Sequence, residues 1–421
     1  MSALRAADLG LTSRTRPLAE APDLLAALGA HPDGFAWLHD GAGLVTSGVA
    51  ARLRLRPGAG RLDTAARMVA DLLAGIESDD TVRVPGTGPL AVGALGFSDD
   101  GEAELIVPAV VVGLTRAGQA WRTETGPSAS VGGGPAAVAA VAAGPGPGPS
   151  RFTVDGHGLR PRWGEMIDEA LARIASGQLS KVVLAREVTV EADRPFDVAT
   201  VLTRLRGGHP TCFTFAAGGL VGATPELLVR RRDALVVSRP MAGTAPRGDT
   251  LDDDRRMVAR MKSSNKEGRE HRVVVDAVRA ALVPVCEEVS ASAQPEVARL
   301  ATVAHLATTV AGRLKAPWPS ALALAGILHP TPAVAGSPRP AALAAIAELE
   351  DFDRGGYTGP VGWVDSRGDG DWAVALRCAH IDGPVARLYA GAGIVAGSSA
   401  GAEWAETQAK LEPMMRALVQ P

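Results

Sequence analysis

The chain is poor in aromatic residues, which make up 4% of its 421 positions, and it has only three cysteines. So few aromatic rings argue against a surface on which nucleic-acid bases stack. Cys212, Cys286 and Cys378 are odd in number and far apart, so they predict neither a disulfide framework nor a zinc site. We therefore expect a reducing, cytoplasmic location.

Long hydrophobic runs and blocks of like charge are also missing. No run of about 18 apolar residues predicts a membrane span, and the N-terminal residues lack the apolar segment of a signal peptide. The net charge is −3 without a basic block, so we expect neither a membrane nor a nucleic-acid partner. The 46% hydrophobic content suits a globular protein with a sizeable core.

Helix and strand patterns come in groups along the chain. Residues 1–130 have a mixed pattern, and residues 131–150, rich in Gly, Ala and Pro, predict a mobile connection between or within domains. From residue 151 the patterns are clearer. They predict a helix at 162–177, paired strands at 212–231, a long helix at 265–285 and a strand meander at 357–395. A closing helix is predicted at 401–419, kinked or ended by Pro413. Grouped strands with helices between them favour an α+β fold.

Two pairs of glutamates recur at a helical spacing. Glu267 and Glu270 share one face of the long helix, and Glu403 and Glu406 share one face of the closing helix. Four carboxylates converging from two helices would suit Mg²⁺, which prefers oxygen ligands. Either pair taken alone is more typical of a solvated surface.

Four single residues have both a functional and an ordinary interpretation. Lys181 heads an apolar run, where it is either a partly buried amine or a solvated strand end. Glu226 is a candidate general acid beside a core, or a glutamate at a helix N-terminus. Arg377, in a buried-looking strand, either binds a substrate carboxylate or pairs with a protein acid. An isolated histidine such as His305 is more often a satisfied core residue than a ligand contact.

Taken together, ten segments in order resemble the chorismate-utilising enzymes, the family of isochorismate, salicylate, anthranilate and aminodeoxychorismate synthases. They are "SKVVLAR", "GATPELLV", "RPMAGTAPRG", "NKEGREH", "HLATTVAGRL", "LHPTPAVAGSP", "GGYTGPVGW", "VALRCA", "LYAGAGIV" and "EWAETQAKLEPM". The resemblance runs from about residue 160 to 415 and implies a single large α+β domain of antiparallel sheets covered by helices, spanning 1–421. The segment 131–150 is then a surface loop, and the catalytic motifs lie within 151–421.

The resemblance assigns roles residue by residue. Glu270 and Glu406 look like the main Mg²⁺ ligands, with Glu267 and Glu403 in support. The substrate chorismate is implied to bind a set of residues in which Tyr357 and Arg377 hold its ring carboxylate: Gly243, Thr244, His305, Ala333, Tyr357, Arg377, Gly391 and Lys410.

The two implied catalytic residues are Lys181 and Glu226. Family members that add ammonia carry glutamine at the lysine position, and members that add water carry lysine, because water needs a base as it attacks C2. An ordinary lysine is almost fully protonated at neutral pH, and burial favours the neutral amine. Glu226 looks like the general acid for the departing C4 hydroxyl.

The resemblance therefore favours an isochorismate synthase, an isomerase. Lys181 disfavours anthranilate synthase, and Ala333 stands where isochorismate synthases carry alanine and salicylate synthases tend to carry threonine. A salicylate synthase, which would go on to eliminate pyruvate, stays a second hypothesis. A non-catalytic homologue is a third, although it predicts loss of a key residue and none is lost. The family's stand-alone enzymes suggest a monomer.

Overall fold

The computed structural model describes residues 10–28, 33–101, 103–131, 148–156, 159–248 and 250–420. The predicted loop at 131–150 thus lies outside the described residues from 132 to 147. No described helix is long and apolar enough to cross a membrane.

Strands supply most of the regular structure in the first third of the chain and again near its end. In chain order they are β1 (Leu11–Pro17), β2 (Phe35–His39), β3 (Ala42–Leu55), β4 (Glu77–Asp80), β5 (Leu90–Ala94), β6 (Ala103–Leu114), β7 (Ala120–Pro127), β8 (Phe152–Asp155), β9 (Lys181–Ala192), β10 (Phe213–Ala217), β11 (Leu220–Thr224), β12 (Leu227–Arg232), β13 (Leu235–Arg239), β14 (Met241–Pro246), β15 (Cys286–Ala291), β16 (Glu296–Arg299), β17 (Val303–Ala307), β18 (Val310–Leu314), β19 (Gly336–Ser337), β20 (Pro360–Asp365), β21 (Gly370–Val374), β22 (Cys378–Asp382) and β23 (Val385–Ile394).

The α-helices fall mainly between groups of strands. They are α1 (Leu24–Leu28), α2 (Arg61–Ala74), α3 (Leu159–Ala175), α4 (Val198–Gly208), α5 (Leu251–Ser263), α6 (Asn265–Leu282), α7 (Ala321–Leu328), α8 (Arg339–Leu349) and α9 (Ala400–Val419). Helix α9 continues through Pro413, so the prediction that proline could end this helix was wrong. Pro413 is buried there, and its neighbours Leu411 and Met414 pack into the core, which outweighs one lost hydrogen bond.

Twenty of the described strands hydrogen-bond into one continuous sheet that branches at β6. One long branch runs β3–β2–β10–β11–β22–β23–β9, and the other runs β5–β20–β21–β12–β13–β18–β15. A short arm, β7–β1–β4, also leaves β6. These pairings are antiparallel except that only β1 and β4 pair in parallel among the described strands. A separate three-stranded sheet holds β14, β17 and β16 in that order.

Early strands pair directly with late ones. Strand β2 pairs with β10 through Leu38 and Thr214, and β5 pairs with β20 through Val92 and Trp363. Residues 10–131 therefore contribute to both branches of the large sheet. The predicted α+β class, with antiparallel sheets and helices packed on them, is confirmed.

Helices α6 and α9, which carry the acidic pairs, are fixed by N-caps and an apolar face. Ser264 accepts a hydrogen bond from the Glu267 amide, and Ser399 accepts one from Ala402, so each helix starts at a defined residue. In α6, Val274 and Val278 are spaced one turn apart and buried, which orients the glutamates at the start of the helix.

Candidate active site

One small cavity lies where strands β9, β14, β17 and β23 meet helices α6 and α9. It has a volume of about 70 Å³. Eleven of the fourteen predicted site residues line it: Glu226, Gly243, Thr244, Glu270, His305, Ala333, Tyr357, Arg377, Gly391, Glu406 and Lys410. The other three predicted residues do not line the cavity, but each contacts or lies beside a residue that does: Lys181, Glu267 and Glu403.

Lys181 is the first residue of β9 and is 4% exposed, so it is not a solvated strand end. Its Nζ donates a hydrogen bond to Oε1 of Glu270 at 2.8 Å. Gly393 makes room for this ion pair, because a Cβ built there would lie 2.9 Å from Glu270 Oε1 and 2.9 Å from Lys181 Cε. The family resemblance implied a role for Gly391 in "LYAGAGIV" but none for Gly393.

Glu226 lies between β11 and β12, ahead of a strand, so its interpretation as a helix N-terminal residue is excluded. Its carboxyl group is buried, and burial raises its pKa from 4.5 to about 7. A hydrogen bond from the backbone and the positive charges of Lys181, Arg377 and Lys410 offset part of that rise. A carboxyl group with this pKa is poised to donate a proton near neutral pH.

Arg377 is a buried cation that forms no ion pair with the described residues. It is 8% exposed, and no carboxylate of the described residues lies within 4.0 Å ion-pair distance of its guanidinium. The described residues therefore do not provide the ion pair within the protein that was the alternative interpretation of Arg377. Its backbone has φ +49°, a left-handed conformation that is uncommon for a residue with a side chain and that occurs at functional sites.

The partner of Arg377 is the neutral ring of His305. Arg377 Nη2 lies 3.0 Å from His305 Nε2, and because arginine only donates, Nε2 must accept. The proton then resides on Nδ1, which lies 3.2 Å from the Gly243 carbonyl oxygen and donates to it. Burial, together with the nearby charge of Arg377, lowers the histidine pKa to about 3, so the ring holds the guanidinium without neutralising it.

Tyr357, Gly391 and Lys410 lie on the same side of the cavity. Lys410 Nζ donates to the Gly391 carbonyl oxygen at 2.9 Å and pairs with Glu406 at 2.5 Å. In a strand the N–H and C=O of one residue point to the same edge, so the Gly391 amide also faces this side. A Cβ at Gly391 would lie 3.1 Å from the Tyr357 hydroxyl, so glycine leaves that hydroxyl accessible.

A bulge in β14 shapes the opposite wall. The register with β17 shifts between Ala242 and Thr244, and Gly243 adopts φ +76°, which favours glycine. The Thr244 amide then donates to Glu267 Oε2 at 2.9 Å, which links the bulge to helix α6. Ala333 lies in the turn before β19 and lines the cavity with its small side chain.

The four predicted metal ligands are neighbours, although Glu270 and Glu406 are each held by a lysine. Burial raises the pKa of Glu267, with a further contribution from the charges of Glu270 and Glu406. Burial likewise raises the pKa of Glu403, which also feels Glu406. Burial would raise the pKa of Glu406 as well, but its ion pair with Lys410 outweighs this and lowers it.

The four glutamates suit a divalent cation because they are carboxylates, although they are not already arranged as a coordination site. Within the part of the chain that the structure describes, no three His, Cys, Asp or Glu side chains are arranged to hold a metal. The donors are hard carboxylate oxygens, and mutual repulsion between half-buried carboxylates is what a Mg²⁺ ion would relieve. The geometry of such a site would require the two lysine ion pairs to rearrange.

The sequence from residue 153 to 419 matches the family model described as chorismate binding enzyme. The chain belongs to this family. Isochorismate synthase DhbC of Bacillus subtilis is 44% identical over 263 residues, which cover 60% of this chain and 66%, a little under two thirds, of that protein. The putative isochorismate synthase MenF of Mycobacterium tuberculosis is 42% identical over 346 residues, 79% of this chain and 87% of its own.

The fold comparison agrees. The solved structure of MenF, the menaquinone-specific isochorismate synthase of Escherichia coli, superposes with a TM-score of 0.80 at 27% identity and covers 98% of this chorismate binding enzyme and 95% of its own chain. The predicted family is thereby confirmed, and the prediction of an isochorismate synthase agrees with the names of these relatives.

Proposed function

We propose that this protein is an isochorismate synthase that converts chorismate to isochorismate. The observation that carries the proposal is a buried lysine and a buried carboxyl group with a pKa of about 7 beside one cavity, close enough for Lys181 to lower the pKa of Glu226. Addition of water requires a base, and departure of a hydroxyl group requires an acid, so the reaction needs two groups in different environments.

The cavity offers a site for the ring carboxylate of chorismate. Arg377 presents a guanidinium without a carboxylate partner, the Tyr357 hydroxyl lies nearby, and the Gly391 amide and Lys410 Nζ face the same side. A guanidinium and neighbouring N–H and O–H donors match the oxygens of a carboxylate. We assign these four residues to that group, with His305 holding Arg377 in place.

In the proposed reaction Lys181 has left its ion pair with Glu270 and is uncharged, so that its Nζ takes a proton from water while the oxygen of that water bonds to C2. The C1=C2 electrons form C1=C6, the C5=C6 electrons form C4=C5, and the C4–O bond breaks. Glu226 gives its proton to the departing hydroxyl group, which leaves as water. One water enters and one leaves, so the product is an isomer of the substrate.

Glu270 and Glu406, supported by Glu267 and Glu403, would hold Mg²⁺. When bound, such an ion neutralises carboxylate charge and orients the group that carries it. The small volume of the cavity, about 70 Å³, indicates that side chains must move for chorismate to enter, since ligand pockets usually measure about 300–1,000 Å³.

Incubating the pure protein with chorismate and Mg²⁺, followed by chromatography of the products, tests the proposal. Isochorismate as the only product supports it. Salicylate with pyruvate would instead establish the salicylate synthase hypothesis, and unchanged chorismate would establish the non-catalytic one. Ala333, whose small side chain lines the cavity, is the position at which we expect the first two to differ.

Removal of metal should lower turnover, and added Mg²⁺ should restore it. We expect Glu270→Ala and Glu406→Ala to raise the Mg²⁺ concentration needed for half-maximal activity, because each removes a carboxylate oxygen. Glu412→Ala, on the same helix as Glu406 but at its surface, is the control and should behave as wild type. Full activity after exhaustive chelation would contradict the metal assignment.

Arg377→Ala should lower kcat/KM by roughly 10- to 150-fold, mainly through KM. A hydrogen bond between charged groups contributes about 1.5–3 kcal/mol, and here one partner is the substrate. Steady-state kinetics checks this against Arg387→Ala, which removes an exposed arginine from β23. An unchanged KM in a folded Arg377→Ala protein would show that the guanidinium does not contact chorismate.

A further inference from the structure

The outer edge of β9 loses its strand neighbour within the active site. Strand β19 pairs only with Lys181 and Val182, the Val183 amide donates to Ala335 O at 2.9 Å, and the next strand on this edge, β8, pairs with β9 only from Thr189 onward. A strand edge of this kind leaves backbone groups that must find other partners. In this part of β9 the ion pair between Glu350 and Arg354 supplies those hydrogen-bond partners.

Both members of the pair bond to this edge. Arg354 Nη2 donates to Val183 O at 2.8 Å, and the Ala185 amide donates to Glu350 Oε1 at 2.7 Å. The two side chains thus continue the pairing of β9 for two more residues beyond β19. Lys181, the proposed base, starts this same strand.

Arg354 also reaches two other walls of the cavity. Its Nη1 donates to Val334 O at 2.9 Å, next to Ala333, and to Thr358 Oγ1 at 3.4 Å. Its own carbonyl oxygen accepts from the Tyr357 amide at 2.8 Å. Two segments that are remote in sequence, β9 and the Ala333 turn, therefore meet at one guanidinium, which also contacts Thr358 four residues further along the chain.

The pair itself has little freedom to move. It is bidentate, with Arg354 Nη2 2.5 Å from Glu350 Oε1 and Arg354 Nε 2.8 Å from Glu350 Oε2. The side chains are only 3% and 2% exposed. Because the pair is planar, buried and joined by two hydrogen bonds, it fixes the positions of the groups bonded to it as well as balancing their charge.

We propose that the Glu350–Arg354 pair positions the active site by fixing β9, the Ala333 turn and Tyr357 relative to one another. This role rests on the proposed function, because it concerns where Lys181 meets the substrate. Misplacement of a catalytic group by about 1 Å costs about 10²-fold in rate. Neither side chain needs to touch chorismate.

The test compares Glu350→Ala with Asp371→Ala. Asp371 is likewise buried and accepts from Arg230 and Arg232 outside the cavity, although these arginines are about 30% exposed, so it is a control for the loss of a buried carboxylate in an ion pair. We expect Glu350→Ala to lower kcat by about 10²-fold with KM changed less than about threefold, and Asp371→Ala to leave kcat nearly unchanged. Glu350→Gln, which keeps an acceptor for Ala185, should recover most of the rate.

Hydrogen exchange gives a second readout that needs no turnover, and it decides the question if the protein proves inactive on chorismate. The amides of Val183 and Ala185 should exchange faster in Glu350→Ala, and to a smaller extent in Glu350→Gln, which is the variant to use if Glu350→Ala does not fold, while β20 and β21 keep their protection. Uniform loss of protection, or a kcat for Glu350→Ala within about threefold of wild type, would overturn the proposal.

Discussion

Replacing Lys181 with glutamine should lower kcat by about 10²–10⁴-fold, the usual cost of losing a general base. Glutamine can still donate a hydrogen bond to Glu270, but its amide cannot take a proton from water near neutral pH. The effect should fall on kcat more than on KM, because the amine acts as water attacks. Steady-state kinetics with chorismate and saturating Mg²⁺ measures both constants.

Two control measurements would show that the lower kcat of Lys181→Gln comes from the missing base and not from misfolding. Thermal melts should show that Lys181→Gln stays folded, since the site keeps a polar side chain of similar length. Lys262→Gln, which removes an exposed lysine from α5, should leave both constants unchanged. Wild-type kcat in Lys181→Gln would remove the basis for a water-adding enzyme.

Replacing Glu226 with glutamine should also lower kcat by about 10²–10⁴-fold, because the departing hydroxyl group loses its proton donor. In the wild type, kcat/KM should fall as pH rises above about 7, where the buried carboxyl group gives up its proton. The residual kcat/KM of Glu226→Gln should lack this decline. Glu187→Gln, which removes another carboxyl group with a burial-raised pKa but outside the cavity, should keep the wild-type profile.

Ionisation of Glu226 also changes the free energy of unfolding with pH. Because its pKa is 4.5 when solvated and about 7 in the fold, its contribution is complete below pH 4.5 and is lost as pH rises through 7. Glu226→Gln should therefore be more stable than wild type above about pH 8, by up to roughly 3 kcal/mol. Denaturant melts at pH 5 and pH 8 check this, and equal differences at both would contradict the assigned pKa.

Much of the fold could be predicted because the relevant signals are local. The apolar spacing of α3 and the glycine at 177, with φ +78°, define that helix and its end, and the grouped strands indicated the α+β class. The pairing of β2 with β10 could not be predicted, because it joins segments far apart in sequence. The same holds for the branching of the sheet at β6.

The candidate site shows a similar division. Motif resemblance named the polar residues that face the cavity, since those residues recur with their neighbours along the chain. It did not predict that Lys181 pairs with Glu270, or that Glu350 and Arg354 complete the edge of β9. Such contacts depend on where a strand loses its neighbour, which no spacing in the sequence reveals.

The strand pairs that join early and late residues bear on how the chain can be produced. The family-matched residues 153–419, expressed alone, would leave the edges of β10 and β20 without β2 and β5. Bare apolar edges recruit other chains and aggregate. We infer that β2 and β5 belong to the same folding unit as the family-matched residues, and that the second of these pairings cannot form before β20 has been synthesised.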